Sequence, residues 1–340
     1  MKVLVTGNFG YVGTVLENLL EEENFEMIGC DIGYFPKSLA SSQNYLDNKN
    51  YLKKDIRNIT LDDLEGIDAI CHLAGLSNDP MGELNEELTY AINHKATIEL
   101  AKTAKKAGVK RFIFSSSCSS YGANQDFVNE KSNVSPLTAY AKSKVLAEND
   151  LLKLKDDEFF PVNLRSATAY GLSPNLRLDL VANNLTGSAV TTGLVKMLSD
   201  GNASRPLVHV EDMSRAFIQV LKSSEEKIKG EVFNVGSNEN NFIVKEIAEI
   251  VESIVPNSKI SFGENAGKDS RSYKVNFDKI TEELNFKPKR KLSEGIEEMY
   301  KKFLEISINE KEFLDKKFYR LKYLKWLIQE KIVNANLEMK

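Results

Sequence analysis

Lys2-Val3-Leu4-Val5-Thr6-Gly7-Asn8-Phe9-Gly10-Tyr11-Val12-Gly13 opens this sequence, and Asp31 closes the apolar run that follows it. A short β-branched strand enters a turn with glycines at i, i+3 and i+6. An amphipathic stretch over 12–20, a second strand and an acid complete the unit. The free N–H groups and positive dipole end of a helix that starts on such a turn favour an anion such as a pyrophosphate. Glycine lets the backbone turn tightly and lets a ligand approach without a Cβ in the way. Three spaced glycines among 19 carry little alone. The strand before them, the amphipathic stretch behind them and an acid roughly 20 residues on turn the pattern into a dinucleotide-binding unit rather than a structural turn.

The rest of the chain sets bounds on this reading. Its 340 residues hold one large domain or two intimately joined ones, and 42% hydrophobic with 28% charged residues is ordinary for a globular protein. A net charge of −4 gives no general attraction to nucleic acid or to an anionic membrane. Cys30, Cys71 and Cys118 lie on or near expected strands without metal-ligand spacing, so no metal is expected, and they read as buried thiols of a reducing compartment. The chain opens on a core strand and carries no apolar run of membrane-spanning length, so the cytoplasm is the expected location.

Strand and helix patterns alternate along the first half. Extended pieces are expected at 51–54, 68–74, 111–116 and 160–165, and helices at 83–107, with Gly108 as its stop, and at 136–154, opened by Pro136. Residues 38–50 read as a polar surface connection. Alternation at this pace implies an α/β fold, a Rossmann-type doubly wound parallel sheet covered on both faces. After Ser166 the rhythm loosens. A helix is expected over 181–198, a strand over 207–210, a strand-to-helix turn over 210–221, a further piece at 231–235 and an extended piece at 259–262. Further helices are expected at 244–254, 278–284 and 292–304. These pieces form a smaller mixed α/β substrate domain over the carboxyl ends of the first sheet, where open α/β folds bind ligands. The division is therefore 1–165 for the dinucleotide domain, with some later segments returning to it, 166–305 for the substrate domain and 306–340 for a helical extension. Phe313, Phe318, Leu321, Leu324, Leu327 and Ile328 put one apolar face on that extension, for docking or dimerisation or, by the simpler reading, for covering its own domain.

Two further motifs carry chemistry. In Tyr140-Ala141-Lys142-Ser143-Lys144 the tyrosine and the second lysine share a helix face, and an ammonium beside a phenol favours the phenolate. A base that removes a hydroxyl proton while hydride leaves the same carbon needs that tuning. The run Ser115-Ser116-Ser117-Cys118-Ser119-Ser120-Tyr121-Gly122 sits at a strand's carboxyl end, where hydroxyls meet the cofactor crevice. Each motif also occurs as plain surface spacing or as a polar loop.

Together the three signals resemble the extended short-chain dehydrogenase/reductase family, in its nucleotide-sugar epimerase, dehydratase and reductase branch, over roughly residues 1–305. The resemblance implies a cofactor site at Gly7, Gly10, Tyr11, Val12 and Gly13. Asp31 on the adenosine ribose favours NAD over NADP, and Asp55 and Ile56 meet the adenine. Leu73, Ala74, Gly75, Asn93 and Ser115 line the cofactor. It implies Ser117, Tyr140 and Lys144 as the catalytic triad, Tyr140 and Lys144 also touching the cofactor. Ser117, Cys118, Ser119, Asn184, Arg205 and Arg271 are implied on the substrate, the two arginines gripping a diphosphate. Arg177 and Asp179 lie in the same region. The 4,6-dehydratases of the branch carry an Asp–Glu pair directly after the triad hydroxyl, where this chain has Cys118 and Ser119, which places dehydration low. Gly33 and Tyr34 offer no arginine for a 2′-phosphate.

The expected activity is an NAD-dependent epimerase acting through C4 oxidation of a nucleoside-diphosphate sugar to a 4-keto intermediate. A 4-dehydrogenase or 4-ketoreductase with net redox change is the alternative, and a non-catalytic dinucleotide sensor or scaffold is the rival outside enzymes. The resemblance also implies a homodimer through the helices at 83–107 and 136–154.

Overall fold

The structure is a computed structural model that describes residues 1–35, 39, 51–124, 126–267 and 271–340. The expected connection at 38–50 therefore falls, except for Leu39, outside the described residues, as do Lys268, Asp269 and Ser270 ahead of Arg271.

Seven strands make one sheet: β1 (Lys2–Thr6), β2 (Glu26–Asp31), β3 (Tyr51–Lys53), β4 (Ala69–His72), β5 (Arg111–Ser117), β6 (Phe160–Ser166) and β7 (Val232–Val235). Their order is β7-β6-β5-β4-β1-β2-β3, and every pairing is parallel. The order reverses between β1 and β4, and a crevice opens there at the carboxyl ends of the strands. Parallel strands need crossovers, and the helices that supply them bury both faces of the sheet. Val3 and Val5 point into one core with Leu16, Leu20, Phe217 and Leu221, and Leu4 points into the other with Phe112, Phe114, Leu100 and Leu151. The period of two that separates them is the pleat. On the first face lie α1 (Gly13–Glu22) and, from far along the chain, the helix Val210–Lys222. On the second lie α2 (Thr97–Lys106) and α3 (Ala139–Lys153). Each fully buried aromatic such as Phe112 or Phe233 stabilises the fold by about 1.5–3 kcal/mol relative to exposure.

A second core gathers Tyr170, Leu176, Leu178, Val195, Met197, Val251, Ile296 and Phe303. It holds the three-stranded sheet of Asn241–Ile243, Ser204–His209 and Thr168–Tyr170, and the parallel pair Leu194–Ser199 with Lys259–Gly267.

Four expectations need correction. The helix expected over 181–198 ends at Thr192, because Gly193 adopts φ +70° and starts the strand Leu194–Ser199. The helix expected over 83–107 begins at Glu86, capped by the Asn85 side chain accepting from Leu88 N at 3.0 Å, and passes through a π-helical stretch, Ala91–Ala96, before α2. Pro136 does not open α3. Thr138 caps it, accepting from Ala141 N at 3.2 Å, and helix begins at Ala139. The extension is not one helical face but three short pieces, Glu310–Phe313, Lys316–Phe318 and α4 (Arg320–Gln329). Phe313 and Phe318 enter the second core, whereas Leu324, Leu327, Val333 and Leu337 pack on Ile56, Leu76, Leu88 and Ile92. The extension covers its own chain. Among the described residues no helix is long and apolar enough to cross a membrane.

Candidate active site

A cavity of about 630 Å³ runs from the crevice at the β1–β4 reversal toward the second core. Of the expected residues, Gly7, Gly10, Tyr11, Val12, Gly13, Asp31, Asp55, Ile56, Leu73, Ala74, Gly75, Ser115, Ser117, Ser119, Tyr140, Lys144, Arg205 and Arg271 all face it.

The glycine turn is built by close approach. A Cβ on Gly7, at φ +75°, would stand 2.8 Å from Ala74 N, and one on Gly13 would stand 2.2 Å from Gly7 O. No side chain fits at either place, so strand, turn and helix are pressed together, and Gly7, Gly10, Val12 and Gly13 at the N-terminal turn of α1 line the cavity. The loop 171–179 clamps this turn from the other core. Tyr11 donates its hydroxyl to Gly171 O at 2.7 Å, Ser173 donates to Tyr11 O at 2.7 Å, and Asn175 donates from Nδ2 to Phe9 O at 2.5 Å. Asp31 is held from behind by the backbone N–H groups of Gly33 at 2.8 Å and Phe9 at 3.2 Å. Burial pushes its carboxyl above the ordinary range, the two N–H groups opposing. Such a carboxyl at the end of β2, beside a glycine cradle a Cβ would fill, fits the adenosine ribose hydroxyls of a dinucleotide.

The polar pair of the chemistry sits at the other end of the crevice. Tyr140, in the first turn of α3, hydrogen-bonds Ser117, at the end of β5. Lys144 lies one turn on, buried, its Nζ donating to Ser115 O at 2.8 Å and lying 5.8 Å from the Tyr140 ring centre. Burial pulls its ammonium down to about 8, Glu148 opposing. The phenol departs from expectation. Burial pushes Tyr140 up to about 12, against the Ser117 hydrogen bond, and Lys144 does not bring it down. The reason is geometric: the ammonium is spent on the Ser115 carbonyl rather than on the phenol oxygen.

Asn93 does not face the cavity. It sits in the π-helical stretch and behaves like a strand edge, with Oδ1 accepting from Leu76 N at 2.8 Å and Nδ2 donating to Leu76 O at 3.0 Å and to Ser143 Oγ at 3.2 Å. It therefore ties the loop after β4 to α3, a positioning role, and π-helical insertions often mark such sites. Cys118 is displaced from the substrate side that the resemblance implied. It is fully buried, its Sγ donates to Arg165 O at 3.1 Å, and burial holds its thiol well above the usual range. Asn184 is displaced too, its Nδ2 donating to Leu178 O at 2.7 Å. The Cys118 thiol is committed to backbone behind the cavity wall, and the Asn184 side chain to the Leu178 carbonyl and to Tyr319 of that wall.

Arg271 reaches the cavity paired with Asp79, whose other oxygen accepts from Thr138 Oγ1 at 2.6 Å. Arg205 sits beside it, donating to Ser204 O at 2.8 Å. Arg177 and Asp179 face the cavity as a bidentate pair at 2.9 and 3.1 Å, with Arg177 also donating to Ser77 Oγ at 3.1 Å. Below the triad, Arg165 holds Glu148 through contacts of 2.6–3.1 Å and donates to Tyr121 OH at 3.1 Å. Sequence reasoning missed Asp79, Ser77, Tyr319 and Arg320, all on the cavity wall. A polar stretch and a tail carry no spacing signal that would have found them.

Comparison with known proteins adds the family. The family model "NAD dependent epimerase/dehydratase family" matches residues 3–236. The chain is 29% identical over 307 residues to the "Uncharacterized UDP-glucose epimerase YtcB" of Bacillus subtilis (strain 168), covering 87% of this chain and 96% of that protein. It is 25% identical over 314 residues to UDP-glucuronic acid decarboxylase 3 of Arabidopsis thaliana, covering 89% of each. Among solved structures, the UDP-glucuronic acid 4-epimerase from Bacillus cereus, in complex with UDP-glucuronic acid and NAD, superposes with a TM-score of 0.78 at 25% identity. The match covers 90% of this chain and all of that one. This chain belongs to the NAD-dependent epimerase/dehydratase family, and its cofactor is NAD.

Proposed function

We propose that this member of the family is a 4-epimerase of a nucleoside-diphosphate sugar, with UDP-sugars the first candidates on the names of its relatives. When bound, NAD supplies a two-electron hydride acceptor and donor at the sugar's C4. The chain's own residues handle the proton and the positioning. With the positive nicotinamide of bound NAD beside it favouring the phenolate, Tyr140 Oη would take the 4-hydroxyl proton and return it, and Ser117 would hold the same sugar oxygen by the hydrogen bond it now gives Tyr140. Lys144, charged at neutral pH, fixes the strand end at Ser115 and faces the cofactor ribose. Asp31 holds the adenosine ribose, and Arg205 and Arg271 grip the sugar nucleotide's diphosphate. Asn93 keeps the loop 73–76 against α3.

The observation that favours epimerisation over net redox is the cover on the adenosine end. The extension lays Leu324, Leu327 and Leu337 over Ile56 and Leu76, and Arg57 donates to Asn336 O at 2.9 Å and Leu337 O at 3.2 Å. A cofactor kept under such a cover suits a reaction that returns its hydride each turn. The second support is chemical. After Ser117 the chain offers a buried thiol and a serine hydroxyl, neither an acid–base pair for loss of water.

Incubation of the protein with NAD and a panel of UDP-, dTDP-, CDP- and GDP-sugars tests the reading. A C4 epimer without accumulating NADH supports it. A keto product with stoichiometric NADH points instead to a dehydrogenase. No isomer, no keto sugar and no NADH with any sugar removes the enzyme reading.

A further inference from the structure

The extension brings one residue into the cavity whose chemistry the reading above does not use. Arg320, first residue of α4, is 2% exposed and faces the cavity. Its guanidinium lies over the Phe35 ring, 4.2 Å from the ring centre, and Nη2 donates to Asn175 O at 3.3 Å. Nη1 has no hydrogen-bond partner among the described residues. Asp179 acts on its charge but accepts no hydrogen bond from its guanidinium. That carboxylate takes the Arg177 guanidinium bidentately and meets Arg320 only through the backbone N–H, at 3.4 Å. Burial and the neighbouring Arg177 pull the Arg320 guanidinium down to about 9, with Asp179 and Asp31 opposing. A buried cation with an unused donor is expensive unless a partner is missing.

The position identifies the partner. Asn175, whose carbonyl accepts from Arg320, donates its own side chain to Phe9 O within the glycine turn. Arg320 is thus two hydrogen bonds from the turn on which α1 begins, on the cavity side and near Asp31. That helix end is the place for a pyrophosphate, and a guanidinium fork matches phosphate oxygens.

We infer that Arg320, carried by the C-terminal extension, is a cofactor-binding residue that grips the pyrophosphate of NAD from the side opposite the glycine turn, so that the extension is a clasp on the dinucleotide. The inference rests on the NAD seat and is independent of which sugar reaction the enzyme performs.

Full-length wild type, Arg320→Met and Arg320→Lys, stripped of nucleotide, are titrated calorimetrically with NAD, ADP-ribose and adenosine, with thermal melts as the check on folding. Arg320→Met is expected to weaken NAD and ADP-ribose by about ten- to hundredfold while leaving adenosine within about twofold, and Arg320→Lys to fall between. Arg320→Met also sheds NAD on gel filtration that wild type retains. Equal weakening for adenosine would make Arg320 a shaper of the pocket and overturn the inference, as would unchanged NAD affinity in a folded Arg320→Met. Should Arg320→Met fail to fold, Arg320→Lys decides on the same criterion. Because no sugar is present, the outcome does not depend on epimerisation.

Discussion

The two ends of the cavity are prepared differently. At the cofactor end the polar groups are held by backbone and kept free for a ligand. Asp31 is braced by two N–H groups and Lys144 by a carbonyl. At the sugar end two cations are already matched with carboxylates, Arg271 with Asp79 and Arg177 with Asp179. A preorganised seat binds without reorganisation, whereas under the proposed function Arg271 would have to exchange Asp79 for a diphosphate before it contributes. On that proposal the dinucleotide is held continuously and the sugar briefly.

Variants at the two ends break or sharpen this contrast. Tyr140→Phe keeps the ring and removes the proton acceptor. Turnover is expected to fall by about 10²–10⁴ with bound NAD, quantified by mass spectrometry, unchanged. Loss of NAD in that variant would mean that the two ends are not separable. Asp31→Ala strikes the cofactor end alone, weakening NAD by about tenfold or more through loss of charge-assisted hydrogen bonds, while sugar-nucleotide affinity holds. Arg271→Ala is the mirror image, raising KM for the sugar nucleotide by about tenfold with NAD retention intact. Asp79→Asn sharpens the same point. It frees Arg271 while keeping an acceptor for Thr138, so KM falls, by about twofold; a rise would show that the Arg271–Asp79 pair assists binding rather than competing with it.

A separate effect is one of stability under the cofactor end. His72 is fully buried between Thr6 Oγ1 at 2.7 Å and Thr97 Oγ1 at 2.9 Å, and burial, with Lys144 adding to it, lowers its imidazole to about 3. The unfolded chain takes up a proton on this residue below pH 6.5, the folded chain only near 3. Stability from this residue is thus full above pH 6.5 and is lost as pH falls toward 3, by at most about 1.4 kcal/mol per pH unit. Urea unfolding of wild type and His72→Gln across that window is expected to show a shallower slope for the variant.

The cofactor end was readable from the sequence because its parts are neighbours in the chain. The strand, glycine turn, helix and Asp31 span 31 residues, and each constrains the next. Tyr140 and Lys144 were readable for the same reason, one helix turn relating them. Hydroxyl and thiol orientation was not: Ser117 and Cys118 are adjacent, yet the strand ends at Ser117, which faces the cavity, and Cys118 opens a 3-10 turn that carries it into the core. Asn184 shows the same limit on a helix, where its amide is spent on Leu178 O. The break at Gly193 was hidden because the apolar spacing of 181–198 suits a helix until one glycine turns left-handed. Arg320 was beyond local reading altogether, since its place is set by contacts with Phe35 and Asn175, respectively 285 and 145 residues away.

The account stands most directly on the fate of the hydrogen at C4. A UDP-hexose carrying deuterium at C4 is incubated with the holoenzyme, and the products are separated and weighed by mass spectrometry. Hydride that leaves C4 and returns to the opposite face predicts the C4 epimer with the deuterium kept and no NADH accumulating. An epimer that has lost its deuterium to solvent would mean that proton exchange at C4, not hydride transfer between C4 and NAD, inverts the carbon, and would contradict the mechanism.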